Sequence, residues 1–261
     1  MTRPLAGKSA LITGSTQGIG LAIARRLATA GSNLVLNGLG DQSTIEGLRQ
    51  ELEREHGISA RHYTADLRDP DQIEQMITSM SRSPVDILIN NAVVRHSGPV
   101  DQFSREAWDE SVAVNLSAAF HTIRLVLPAM KERGWGRIIN VSSIYGLRGT
   151  ANRVGYVTTK TGLIGLTRAV AIETAASGIT CNAVCPGTTE TPIHEAAVQS
   201  FIAAQRMSRA QAEREILRGK QPTGRFIAAD GVAALVEFLC GPEAADITGA
   251  MIPIDGAWSS A

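Results

Sequence analysis

Ser9-Ala10-Leu11-Ile12-Thr13 runs straight into Gly14-Ser15-Thr16-Gln17-Gly18-Ile19-Gly20, and the rest of the chain can be read outward from that junction. The first five residues are nearly all apolar, the mark of a strand covered on both faces. Beyond the turn, Ile19, Ala22, Ile23, Leu27 and Ala30 recur at helical spacing until Gly31 stops the helix. A strand that enters a helix through glycines leaves free backbone amides at the helix N-terminus, where phosphate groups bind. Gly14 allows the tight turn, and Gly18 and Gly20 allow close approach to the backbone. The spacing is G-x-x-x-G-x-G rather than the commoner G-x-G-x-x-G. A glycine trio alone reads equally well as a structural turn. The strand before it and the helix after it favour a dinucleotide pyrophosphate.

The same alternation repeats along the chain. Strands are expected at 34–37, 61–65, 85–90, 137–141, 179–184 and 251–254. Helices are expected at 18–30, 44–56, from Pro70, at 106–133 with a bend at Pro128, at 155–176 and at 231–239. This pattern predicts an α/β fold, one domain over residues 1–261 built on a doubly wound parallel sheet of about seven strands. Residues 188–224 break the rhythm. They contain no strand but many helix formers, and they follow a strand whose C-terminal end faces the crevice of such a fold. We read them as a helical substrate lid, with a surface-packed insertion as the plainer alternative.

Bulk properties narrow the partners. Of 261 residues, 44% are apolar and 19% charged, and the 25 basic residues equal the 25 acidic ones. Zero net charge gives no reason to expect a nucleic acid or an anionic membrane as partner, and it lowers the penalty for self-association. No apolar leader precedes the first strand, and no uninterrupted apolar stretch approaches a membrane span. Cys181, Cys185 and Cys240 are odd in number and sit in apolar surroundings. They read as buried, reduced thiols of a cytoplasmic protein, and no metal site is expected.

The chemistry-bearing residues lie further along. Tyr156 and Lys160 are four apart on an expected helix, hence on one face, with Ser143 thirteen residues upstream. An ammonium beside a phenol favours the phenolate and makes tyrosine usable as a base near neutral pH. An ordinary i, i+4 surface pair is the plainer reading of two such residues alone.

These features occur in a fixed order: Thr13 to Gly20, Asn90-Asn91-Ala92, Asn115, Ser143, Tyr156-x-x-x-Lys160 and Pro186-Gly187. In that order they resemble the short-chain dehydrogenase/reductase family over essentially the whole chain. The resemblance implies that Tyr156 is the general base or acid, that Lys160 lowers its pKa and binds the nicotinamide ribose, and that Ser143 holds the substrate oxygen. It implies that Asn115 holds a water in a proton relay. Cofactor contacts are implied at Gly14, Thr16, Gln17, Gly18, Ile19 and Gly20, and at Asp66 and Leu67 near the adenine. Others are implied at Asn91 and Ala92, with Asn90 contributing backbone, and at Pro186, Gly187, Thr188 and Thr191. The family glycine after Asn90-Asn91-Ala92 is Val93 here, which is expected to stiffen that turn and narrow the site.

Cofactor choice is read at the end of the second strand, Asn37-Gly38-Leu39-Gly40-Asp41. No arginine stands there to meet a 2′-phosphate, which favours NAD. Asp41 reads either as a ribose ligand or as a turn residue. Stretches such as Val35-Leu36-Asn37-Gly38, Gly136-Arg137-Ile138-Ile139-Asn140 and Lys220-Gln221-Pro222 are similar to bacterial D-3-hydroxybutyrate dehydrogenases. Those enzymes grip a carboxylate with glutamine, histidine and lysine, where this chain has Arg95, Tyr145 and Arg153. With Ser143 and Trp258 these form the expected substrate set. The expectation is hydride transfer between NAD and a small hydroxy acid or related secondary alcohol, in a homotetramer of the kind the family forms. The rivals are an NADPH-dependent 3-oxoacyl thioester reductase and a dinucleotide-sensing regulator without chemistry.

Overall fold

The computed structural model describes residues 3–261 except residue 82. Seven parallel strands form one sheet in the order β3-β2-β1-β4-β5-β6-β7. The strands are β1 (Ser9–Thr13), β2 (Asn33–Asn37), β3 (Ala60–Tyr63), β4 (Ile87–Asn90), β5 (Gly136–Val141), β6 (Ile179–Pro186) and β7 (Met251–Ile254). Alternation along each strand supplies a core on both faces. Ala10, Ile12, Leu34, Leu36, Ile87 and Ile89 pack under α1 (Gly18–Thr29), α2 (Gln42–His56) and α9 (Ala229–Cys240). Leu11, Val35, Leu88 and Ile138 pack under α3 (Pro70–Ser79), α5 (Ala118–Arg133) and α6 (Val154–Thr174). The three cysteines are buried and unpaired.

The long helical run differs from expectation. α5 continues through Pro128, and the irregularity lies earlier. α4 (Arg105–Val112) is joined to α5 by one wide turn, Ala113–Ser117, in which the Ala118 N–H reaches back five residues to the Ala113 carbonyl. Asn115 sits inside that turn, a kind of helix defect common at functional sites. The run Arg105–Arg133 is long and apolar enough to cross a membrane by length and composition, although charged residues interrupt it. Here it packs along α3, α6 and the sheet.

The sheet order places the site. Strand progression reverses between β1 and β4, so a crevice opens at their C-terminal ends. Residues 188–224 fold as two helices, α7 (Pro192–Gln205) and α8 (Arg209–Leu217). Their roots are tied together by a parallel bridge between Thr189 and Ile227.

Candidate active site

The glycine turn and the end of β4 are built as one piece. The Asn91 amide nitrogen Nδ2 donates to the carbonyls of Thr13 and Gly14 at 2.9 Å each, and Thr13 Oγ1 accepts from the backbone of Asn91 and Ala92 at 2.9 and 3.1 Å. A Cβ at Gly20 would stand 2.1 Å from the Gly14 carbonyl oxygen, so this packing requires glycine. Gly14 and Gly18 have φ of +63° and +55°, which also favours glycine. α1 begins without an acidic residue in its first turn or a side-chain cap from Gln17. Its first amides therefore face outward with no competing anion, which suits a pyrophosphate.

A cavity of about 430 Å³ starts at this turn. All of Gly14, Thr16, Gln17, Gly18, Ile19, Gly20, Asp66, Leu67, Asn91 and Ala92 border it, as does Thr191 from the root of α7. Asn90 is not among the residues that border it. Its side chain is buried between Asn140 and Thr122, donating to the first at 2.9 Å and accepting from the second at 2.7 Å. At the β2 tip, Asp41 caps α2, accepting from the Thr44 backbone at 2.8 Å and from the hydroxyls of Ser43 and Thr44. Those bonds, the Ser43 hydroxyl foremost, hold its carboxyl near 2. Of its two readings, the structure bears out the turn residue. Asp66 is engaged by Arg68, which lowers its pKa, and Arg68 also approaches Glu110 at 3.5 Å.

The cavity continues past Val93 to a second space bordered by Ser143, Tyr156, Lys160, Pro186 and Gly187. Ser143 follows β5, while Tyr156 and Lys160 occupy the first two turns of α6. Ser143 Oγ accepts from the Tyr145 backbone at 3.1 Å, so its proton is free to donate elsewhere. Lys160 is 2% exposed, with Nζ 5.8 Å from the Tyr156 ring centroid. Its ammonium donates to the Val141 carbonyl at 2.8 Å rather than to the phenol. Burial, with the nearby charge of Arg95, pushes its pKa down to about 7.

Asn115 supports this centre from behind. Its Oδ1 accepts from Val94 N at 2.8 Å and its Nδ2 donates to Val94 O at 3.0 Å. The side chain thus braces the Val93–Val94 segment. Val93 borders both cavities. It is not among the residues with positive φ, so valine fits the family's glycine position without backbone strain.

A third space, about 150 Å³, opens from Tyr156 toward the 188–224 segment. Arg95, Ser143, Tyr145, Arg153 and Trp258 all line it, bringing the expected substrate set together. Tyr145 meets Trp258 edge-on at 5.3 Å and Tyr156 at 6.4 Å, forming an aromatic wall. Trp258 is only 6% exposed within its own chain, held by Arg148 Nη1 donating to its carbonyl at 2.8 Å.

Ile144, Tyr156, Gly187 and Thr188 also line this cavity, as do two ionisable residues outside that set, Lys220 and His194. Gln221 explains Lys220: it is buried, accepts from the Thr188 backbone and donates to the Arg225 carbonyl at 2.6 Å, fixing the end of the 188–224 segment against the Pro186-Gly187-Thr188 turn. The resemblance of Lys220-Gln221-Pro222 to bacterial D-3-hydroxybutyrate dehydrogenases is the sequence signal that could have marked Lys220. Burial lowers the pKa of both Lys220 and His194, with Arg153 adding to the effect on Lys220 and Arg95 to that on His194. His96 instead pairs with Glu110 at 2.7 Å.

Comparison with known proteins agrees with this geometry. Residues 8–200 match the sequence profile described as short chain dehydrogenase. The chain is 42% identical to a D-beta-hydroxybutyrate dehydrogenase of Rhizobium meliloti (strain 1021), covering 97% of this chain and 99% of the relative. It is 41% identical to the D-beta-hydroxybutyrate dehydrogenase of Cupriavidus necator, covering 97% and 98%. Among solved structures, a variant actinorhodin polyketide ketoreductase with NADPH superposes with a TM-score of 0.88 at 35% identity, covering the whole of both chains.

Proposed function

The chain belongs to the short-chain dehydrogenase family, and on that premise we propose that it moves a hydride between NAD and the carbinol carbon of a small hydroxy acid resembling 3-hydroxybutyrate. Its general activity is that of an NAD(P)-dependent oxidoreductase acting on CH–OH groups. The observation that carries the finer reading is the 150 Å³ cavity. It joins Ser143 and Tyr156 to Arg95, Arg153 and Lys220, and no aspartate or glutamate borders it. Guanidinium groups bind carboxylates bidentately.

Bound nicotinamide supplies the hydride acceptor or donor. The chain supplies the rest. Tyr156 takes the carbinol proton in oxidation and returns it in reduction. Ser143 donates its free O–H to the substrate oxygen and stabilises charge developing there. Lys160 provides the cation behind the phenol, and Asn115 holds the Val93–Val94 segment against the cofactor. The outward amides of α1 and the glycine cradle receive the pyrophosphate.

NAD is favoured over NADP because Arg68, the cation bordering the adenine end of the cavity, is already engaged by Asp66. This observation also weighs against the NADPH-dependent thioester reductase. Exposed Trp108 and Phe120 on α4 and α5, with Ile172 at 80% exposure on α6, support a homotetramer assembled through these helices. Buried thiols support a cytoplasmic setting. The test is NADH formation, followed by absorbance, across hydroxy acids and neutral alcohols of matched size. Hydroxy acids are expected to lead; preference for large neutral alcohols defeats the acid reading.

A further inference from the structure

The cations of the substrate cavity differ in which neighbouring cavities they also border. Arg95 borders the substrate cavity and also both cofactor-side cavities, so it stands at the cofactor end, with His194 beside it in the substrate and reaction-centre spaces. Arg153 and Lys220 border only the substrate cavity. Tyr156 lies on the boundary between the two ends, with the Arg95 guanidinium 5.6 Å from its ring centroid. Among the described residues, none of Arg95, Arg153 and Lys220 has a carboxylate within salt-bridge distance.

Three unpaired cations in one small cavity repel one another, and a single carboxylate leaves that repulsion largely uncompensated. A second anion at the other end relieves it. Tyr156 borders both the substrate cavity and the reaction-centre space that Arg95 shares, which sets where that anion belongs: across the carbinol from the first.

We infer that the preferred substrate is a short hydroxydicarboxylate, with one carboxylate met by Arg153 and Lys220 and the other, across the carbinol, met by Arg95. This rests on the hydroxy-acid reading above and narrows it. Relative to 3-hydroxybutyrate, the change is the terminal methyl replaced by a carboxylate, which is malate. The redox balance is unaltered: the C–H bond breaks with its electron pair leaving as hydride to the nicotinamide, and the O–H proton passes to Tyr156.

The test compares kcat/KM for both enantiomers of malate and of 3-hydroxybutyrate, in the wild type and in Arg95→Gln. The wild type is expected to favour malate. Arg95→Gln is expected to lower the malate to 3-hydroxybutyrate ratio by roughly tenfold or more, the loss of one charge-assisted bond. A second readout does not need turnover: succinate should stabilise the wild type against thermal unfolding more than butyrate does, and Arg95→Gln should abolish the difference. Preference for 3-hydroxybutyrate with an unchanged ratio in the variant overturns the dicarboxylate inference and leaves the hydroxy-acid reading standing. Turnover of neutral alcohols alone overturns both. If Arg95→Gln raises the KM for NAD while the substrate ratio holds, Arg95 serves the cofactor and the inference fails.

Discussion

Lys160 meets two opposed demands. Its carbon chain and ammonium are buried, which penalises the charge, yet the proposed chemistry needs a cation behind Tyr156. Its pKa of about 7 in the folded protein lies below the ordinary 10.5. Between these values the unfolded chain binds more protons, so stability through this group rises as pH climbs from about 7 to about 10.5 and is lowest below pH 7. Lys160→Met should remove that slope, so the variant gains most relative to wild type below pH 7, while turnover is lost. Urea unfolding across pH reads the first effect and NADH formation the second. A slope unchanged in Lys160→Met refutes this account of its burial. At Tyr156, replacement by phenylalanine should cut kcat by about a hundred- to ten-thousandfold and leave NAD affinity intact. Cofactor titration by intrinsic fluorescence separates the two, and near-wild-type turnover would remove Tyr156 from the proton-transfer role.

At the scale of elements, the turn between β1 and α1 is the most tightly determined part of the site. A methyl at position 20 meets the Gly14 carbonyl oxygen at 2.1 Å and Asn91 Nδ2 at 2.5 Å, so it must displace the clamp between β1 and β4. Gly20→Ala should destabilise the fold by about 1–3 kcal/mol and weaken NAD binding further, since the displaced backbone is the proposed phosphate cradle. Urea midpoints with and without NAD measure both. Equal midpoint shifts under the two conditions would mean that the turn serves the fold alone. The wide turn at Ala113–Ser117 is a second device. By bringing Asn115 to Val94, it connects the α4–α5 run to the loop that carries Val93 and Arg95. No residue in that stretch announces a wide turn, because an extra residue in a helical turn is decided by what the side chain must reach, whereas Pro128 drew the expectation of a bend and sits in a continuous helix.

For the whole molecule, exposed apolar side chains on α4, α5 and α6 require a partner surface if the proposed tetramer is correct. Phe120→Arg combined with Ile172→Glu should shift sedimentation velocity to smaller species. Retention of the wild-type sedimentation coefficient would exclude this face. The C-terminal tail packs within its own chain, with Trp258 6% exposed there. Trp258 closes the pocket of its own subunit, anchored by Arg148 and by Asp255, whose carboxylate accepts from Ser259 N at 2.6 Å.

Legibility in the sequence follows the range of the interactions involved. Strand alternation, the glycine turn and the i, i+4 pair are local patterns, set by backbone geometry and by which face of an element is apolar, and they determined the fold class, the crevice and the Tyr156–Lys160 pair. Lys220 beside Arg153, Arg95 in the same cavity as both, and the Lys160 ammonium held by Val141 join residues from separate elements. Only the packed sheet with its tied lid decided these, because burial and charge proximity act through space between positions that no local period connects.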